Sequence, residues 1–144
     1  MKLVQTMINF DGRCDEALAF YQKALGAEIL MCMRFKDHPE PDNECSGKMD
    51  PEKVMHAQFK IGSTVVMAAD CHSTGKPVFQ GMSLSLTVPT AAEADQAFAA
   101  LSVGGQVQMP LEKTFFTEKF GMLTDKFGIS WMVMVTPNPQ ACQA

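Results

Sequence analysis

The sequence lacks the features that would tie it to nucleic acid, to a membrane or to secretion. It contains no basic run and its formal net charge is −4, which argues against binding nucleic acid or an anionic membrane surface. No stretch approaches the roughly 20 apolar residues that span a bilayer. Polar residues at Gln5, Asn9 and Asp11 interrupt any signal-peptide core. We therefore expect a cytoplasmic protein with no nucleic-acid or membrane partner.

The cysteines show neither a disulfide pattern nor a zinc pattern. There are five of them, an odd number, and no Cys-x-x-Cys pair occurs. In a reducing cytoplasm such thiols behave as small apolar side chains. We expect Cys32, in a predicted strand, to pack in the core because no histidine partner for nucleophilic chemistry is visible in the sequence.

Length and composition are those of one globular domain. A chain of 144 residues with 47% hydrophobic content can bury a substantial core and needs no second domain to do so. We predict a single domain over residues 1–144.

Two halves of the chain align at one fixed offset. Phe10 corresponds to Val88 and Gly26 to Gly104, each separated by 78 positions (88 − 10 and 104 − 26). In each half the pattern predicts a strand, a helix that ends at a glycine, and a second strand. Thr90 and Glu93 have the spacing of a capping box at the start of the second helix. The apolar stripes of the two helices are Ala17, Tyr21, Ala24 and Leu25, then Ala94, Ala97, Phe98 and Leu101.

Each half is predicted to be a βαβββ module. The predicted strands of the first half are 4–10, 28–35, 54–61 and 64–69, and those of the second are 82–88, 106–111, 116–124 and 130–135. Module one thus covers residues 1–69, a loop 70–81, module two 82–136 and a tail 137–144. The fold class is α+β, with two modules that form a curved mixed sheet around a cavity.

Several stretches of the sequence resemble a known superfamily. The glycine-stopped helix in 15–28 and the glycine turn that feeds an apolar strand in 124–133 resemble the vicinal-oxygen-chelate proteins, which include glyoxalase I, extradiol dioxygenases and bleomycin-resistance proteins. The stretches 9–14 and 111–131 resemble its PhnB-like branch, often labelled 3-demethylubiquinone 3-methyltransferase. The resemblance implies a homodimer. The methyltransferase label lacks support in the residues, because no G-x-G-x-x-G occurs and Gly104-Gly105 follows a helix instead of preceding one.

The metal positions of that superfamily carry unsuitable side chains here. Its metal enzymes take four ligands from cavity-facing strands, and the matching positions hold Gln5, Met67, Ser83 and Met132. Thioethers, a hydroxyl and an amide are poor ligands for a catalytic divalent metal, so we expect no metal and no cofactor. Whether another set of donors binds a metal stays open; the candidates are His38, Cys45, His56, Cys71 and His72.

The same positions predict a small-molecule pocket. With strand alternation the predicted lining is Gln5, Met7, Met67, Ser83, Ser85 and Met132. Deformable apolar side chains with a few hydrogen-bonding groups are typical of ligand pockets. The sequence favours metal-free binding of a small, largely apolar or aromatic molecule. Two alternatives remain: an enzyme of the superfamily (lyase, isomerase or dioxygenase type) that uses a non-inherited site, and a structural module with a filled cavity.

Overall fold

A computed structural model describes residues 2–37, 50–70 and 77–137. The chain divides into two compact units, Met1–Pro77 and Val78–Ala144, and their boundary lies inside the predicted loop 70–81. We keep the names module one and module two for the secondary structure of these units. The predicted tail lies almost entirely outside the described residues, as does most of the predicted loop between the second and third strands.

In its described residues, module one is a four-stranded mixed sheet with one α-helix. Its elements are β1 (Met7–Asn9), α1 (Cys14–Leu25), β2 (Glu28–Arg34), a 3₁₀ turn (Phe35–Asp37), β3 (Val54–Ile61) and β4 (Thr64–Ala69). The strand order is β1-β4-β3-β2. Strand β1 runs parallel to β4, and the other pairs are antiparallel.

Module two repeats this plan. Its elements are β5 (Leu84–Val88), α2 (Ala91–Ser102), β6 (Gln106–Glu112), β7 (Phe120–Thr124) and β8 (Ser130–Val135). The strand order is β5-β8-β7-β6, again with one parallel pair, β5 with β8. The predicted α+β class and the two βαβββ modules are confirmed.

The repeat persists in local detail. Strands β2 and β6 are 78 positions apart at both ends (106 − 28 and 112 − 34), and each has an irregularity at the same place, Ile29/Met31 and Val107/Met109. The third strands, β3 and β7, start only 66 positions apart (120 − 54). Module one therefore has a longer connection between its second and third strands, by 12 residues (78 − 66).

The predicted helix ends are largely confirmed. Gly26 ends α1 in the left-handed region at φ 66°, and Gly104 adopts φ 74° just after α2, conformations that glycine adopts at little cost. The Thr90 hydroxyl accepts a hydrogen bond from the Glu93 amide at 3.2 Å. The Glu93 carboxylate does not reach back to the chain as the capping-box spacing predicted; it accepts a hydrogen bond from the Thr90 hydroxyl at 3.1 Å.

Three strand boundaries were predicted too early. Strand β1 starts at Met7 instead of Val4, and β5 starts at Leu84 instead of Met82; Val4 and Met82 are 97% and 76% exposed. Strand β7 starts at Phe120 instead of Phe116. The apolar pattern before Phe120 belongs to a turn in which the Thr114 hydroxyl accepts a hydrogen bond from the Thr117 amide at 3.2 Å. Local side-chain hydrogen bonds there take the place of hydrogen bonds between strands.

Each helix covers one face of its own sheet. In module one, Tyr21 of α1 is fully buried and stacks on Phe59 of β3, with ring centroids 5.8 Å apart. In module two, the buried residues of α2 lie against the face that holds Leu123 and Trp131. Burying a large apolar side chain stabilises a fold by roughly 1.5–3 kcal/mol. The opposite face of each sheet is covered by no helix of its own unit in the part of the chain described, and we call it the helix-free face.

Candidate functional site

A row of three methionines crosses the helix-free face of module two. On β8, Trp131 and Val133 are buried whereas Met132 between them is only half-buried, so Met132 points away from the helix. Met132 pairs with Met122 of β7, and Met122 pairs with Met109 of β6. On its other side Met132 lies beside Ser85 of β5. The four strands thus present Ser85, Met132, Met122 and Met109 in one line.

A polar row lies on one side of this line. Ser83 donates a hydrogen bond from its hydroxyl to that of Ser130 at 2.9 Å, and Ser130 pairs with Thr124 of β7. The Gln108 amide donates to the Thr124 hydroxyl. Each hydroxyl retains hydrogen-bonding capacity beyond these contacts, so the row can bind a polar group of a ligand.

An aromatic cluster lies on the other side. Phe120 pairs with Met134, and the Phe116 ring packs edge-on against it with centroids 5.6 Å apart. Phe115 packs in turn on Phe116 at 5.2 Å and is 89% exposed. The turn that carries them is tied to β8, because the Thr117 hydroxyl donates to the Val135 carbonyl at 2.6 Å. A shallow groove of about 370 Å³ runs between residues 113–118 and the end of β8.

The helix-free face of module one has different chemistry. Its central row is Met7, Met67, Gln58 and Met31, joined by the same strand pairings. The neighbouring positions on β3 are His56 and Lys60. This face therefore carries titratable groups at the positions that module two fills with Phe120 and Thr124.

The structure brings the predicted site residues together in pairs. Met7 is aligned with Met67, and Ser85 with Met132, across the parallel strand pairs. Gln5 precedes β1 and is half-buried, while Ser83 precedes β5 and is exposed. All six lie outside the buried core. The predicted cavity would need both modules, and that prediction stays untested, as does the predicted homodimer.

Two residues beside this set, Met122 and Ser130, were not predicted from the sequence as site candidates. The signal was present in the hairpin around Gly128, because Thr124 pairs with Ser130 and the register then places Met122 beside Met132. Counting residues backwards from the turn would have found Met122.

Asp70 directly precedes the candidate metal ligands Cys71 and His72, and its own side chain has a structural role. The buried Asp70 carboxylate accepts hydrogen bonds from the amides of Gly12 at 2.7 Å, Cys14 at 3.0 Å and Val54 at 3.1 Å. It thereby ties the start of α1 to β3. Because backbone amides donate to both oxygens of the carboxylate, the side chain is poorly suited to hold a metal ion.

Asp125 has the same role in the turn that follows β7. Its buried carboxylate accepts from the amides of Phe127 at 2.9 Å and Ile129 at 3.0 Å, and from the Trp131 indole at 2.9 Å. The stretch 124–133, on which the superfamily resemblance partly rests, therefore contains a structural turn followed by the start of β8. Trp131, which neighbours the predicted pocket residue Met132 along β8, is buried on the opposite face.

The described residues contain no group of three or more His, Cys, Asp or Glu side chains that could hold a metal ion. His56 lies on β3, and His38, Cys45, Cys71 and His72 fall outside the described residues. Cys14 is buried, whereas Cys32 is exposed, so the prediction that Cys32 packs in the core was wrong; it lies on the edge strand β2. Burial raises the pKa of both thiols, and Asp70 raises that of Cys14 further. Neither is activated as a nucleophile. In the described ranges no helix has the length and apolar character needed to cross a membrane.

Comparisons with known proteins agree with the fold and the sequence resemblance. The chain is 34% identical to protein YjdN of Escherichia coli K12 over 134 residues, which cover 89% of this chain and 91% of YjdN. It is similar to the crystal structure of PA1353 from Pseudomonas aeruginosa, with 39% identity, a TM-score of 0.80, and 94% and 98% of the two chains covered.

A glyoxylase/bleomycin resistance protein/dioxygenase domain from Frankia sp. EAN1pec shares the fold at 15% identity and a TM-score of 0.66, over 94% of this chain and 95% of that one. The profile of the 3-demethylubiquinone-9 3-methyltransferase family matches residues 2–134, the label under which the PhnB-like branch is known. A match over nearly the whole chain shows that the protein belongs to the 3-demethylubiquinone-9 3-methyltransferase family, within a glyoxalase-like fold.

Proposed function

We propose that the protein binds a small, largely apolar or aromatic molecule, without a metal ion, on the helix-free faces of its sheets. The observation that carries the proposal is the placement of the methionines. Strand pairing assigns eight of them to these faces: Met7, Met31, Met33, Met67, Met109, Met122, Met132 and Met134.

Methionine suits this role for a physical reason. Its unbranched thioether changes shape at low cost and contacts aromatic rings favourably, by about 0.3–1.5 kcal/mol. A single buried methionine is usually core filling. Here Met109 of the central row is 44% exposed and Met7 is 47% exposed, so the rows present apolar surface available to another molecule.

The family label suggests methyl transfer, and the residues give it little support. A class I S-adenosylmethionine site places a glycine-rich turn between a strand and the helix that follows. The turn between β1 and α1 is Asp11-Gly12-Arg13, and the Gly104-Gly105 pair follows α2. An enzyme of the glyoxalase-like superfamily that uses another site remains the second candidate, and His56 on the helix-free face of module one is the observation that favours it.

Replacing Ser83 by phenylalanine tests the site. We expect ligand binding to be lost, because the ring would cover the polar row beside Met132. The thermal midpoint should change little, since Ser83 is exposed and exposed substitutions usually alter stability by less than about 0.5 kcal/mol. The readout is the ligand-induced thermal shift with a panel of neutral aromatic compounds. Ser63→Phe, in the exposed β3–β4 turn, is the matched control and should bind normally.

A loss of stability of roughly 1–3 kcal/mol in Ser83→Phe would indicate an overpacked interior. That result would refute the site and support the structural-module alternative.

Removal of metal is expected to change neither folding nor ligand binding. The positions that hold metal in related enzymes carry Gln5, Met67, Ser83 and Met132, whereas a structural zinc ion contributes on the order of 10 kcal/mol. The measurement compares thermal midpoints and ligand shifts before and after treatment with a chelator. A large drop after chelation that is restored by zinc, manganese, iron or nickel would contradict the proposal.

A further inference from the structure

The helix-free face of module two changes from polar to aromatic along its strands. One end is the hydroxyl row of Ser83, Ser130 and Thr124, and the middle is the methionine row. The other end is Phe120, on which Phe116 packs. An ordered gradient of this kind gives a bound molecule one preferred direction, because each end of the molecule meets a different chemistry.

The gradient has a length. From Ser130 to Met134 on β8 the chain advances four residues, which is about 14 Å at strand spacing. A single ring would contact only one or two of the three rows. A molecule with two fused or linked rings and one polar substituent would contact all three.

Charge is nearly absent along this path. Of the side chains that strand pairing places in the three rows, Glu112 alone is charged, and it lies on the edge strand β6 beside Phe120. The matching face of module one carries Lys60 and His56 instead. A carboxylate placed on the three rows would lose hydration and meet no positively charged side chain within them, which costs several kcal/mol.

We propose that the helix-free face of module two selects an elongated, neutral aromatic molecule with a hydroxyl or carbonyl group at one end. The polar group lies at Ser130 and Thr124, the ring system lies on Met122 and Met132, and the far ring contacts Phe120. This inference rests on the proposed function and adds the class and the orientation of the ligand.

The test uses 2-naphthol, naphthalene and 2-naphthoate as probes, with dissociation constants measured by fluorescence titration of the whole chain. The wild-type protein should bind 2-naphthol best and 2-naphthoate at least tenfold more weakly. Ser130→Ala should weaken 2-naphthol about fivefold and leave naphthalene unchanged, because only the alcohol loses a hydrogen bond. Phe120→Leu should weaken both about fivefold through the lost aromatic contact.

Val107→Ala is the matched control, since Val107 pairs with buried Leu123 on the opposite face of the same sheet. It should change none of the three constants. If Ser130→Ala lowers the thermal midpoint, Thr124→Val supplies a second variant of the polar end.

Two results would overturn the inference. One is equal weakening of naphthol and naphthalene by Ser130→Ala, or no weakening at all. The other is a titration in which the wild-type protein binds none of the three probes, or binds 2-naphthoate best. Either result leaves the proposed function standing if other compounds of the panel bind and Ser83→Phe abolishes their thermal shift. If no neutral compound binds at all, both this inference and the proposed function are refuted.

Discussion

Replacing Asp125 by asparagine is expected to lower the free energy of unfolding by roughly 3 kcal/mol or more. The carboxylate accepts three hydrogen bonds in a buried turn, two from backbone amides and one from the indole of Trp131. Hydrogen bonds to a charged group contribute about 1.5–3 kcal/mol each, and a buried donor without a partner is costly. An amide has one acceptor oxygen and would turn its NH₂ group towards at least one of these donors.

Urea denaturation monitored by Trp131 fluorescence and by circular dichroism measures the effect. Asp95→Asn is the matched control: Asp95 is exposed and pairs with Lys119 at 2.6 Å, and such surface pairs contribute about 0–1 kcal/mol. Similar stability losses for the two variants would contradict the role given to Asp125. Trp131→Phe removes one of these hydrogen bonds together with part of the buried indole surface, so it should also destabilise the fold. Circular dichroism alone reports this variant, because the chain has a single tryptophan.

Replacing Gly105 by alanine is expected to destabilise the fold by about 3 kcal/mol. A Cβ atom at this position would lie 2.1 Å from the Thr124 carbonyl oxygen and 2.9 Å from backbone atoms of Asp125. These are backbone atoms at the end of β7, so the clash cannot be relieved by a side-chain rotation and β6 must move away from β7.

Gly62→Ala separates this steric cost from the cost of backbone conformation. Gly62 adopts φ 59° with open space around its Cβ position, so alanine there costs only the left-handed conformation, roughly 1–2 kcal/mol. Thermal or urea unfolding of both variants gives the comparison. If Gly105→Ala is no less stable than Gly62→Ala, the backbone at the end of β7 relieves the clash at little cost and the prediction is contradicted.

The fold could be predicted because local signals and the repeat agree. Short-range chemistry fixes two element boundaries, the end of α1 at Gly26 and the turn at Gly62. The 78-residue offset then relates the helix and the second strand of one half to those of the other. The predicted strand starts at Val4 and Phe116 were wrong, because apolar alternation in the sequence continues past the residues that have a partner strand. In 113–119 the side-chain bonds of Thr114 and Thr117 decide the conformation, and a hydrophobic pattern cannot show them.

The candidate site was predictable only along single strands. Alternation predicted which face of its strand Met132 occupies, and in the structure Met132 and Met134 lie on the face opposite to Trp131 and Val133. The neighbours of Met132 across the sheet depend on strand register, which is why Met122 was missed. The buried role of Asp70 is invisible in the sequence, because one of its donors lies 58 positions away. The donors to Asp125 lie only two to six positions along the chain, so its role is a local turn signal.

The most direct test of metal-free binding on the methionine rows is a carbon-13 NMR titration of protein labelled at the methionine methyl groups. With chelator present and 2-naphthol added, the signals of Met122, Met132 and Met134 should shift in a saturable way. Met55, on the face of β3 opposite to Gln58, and the 76% exposed Met82 should not respond. Shifts confined to Met55 and Met82, or a response that requires added metal, would contradict the account.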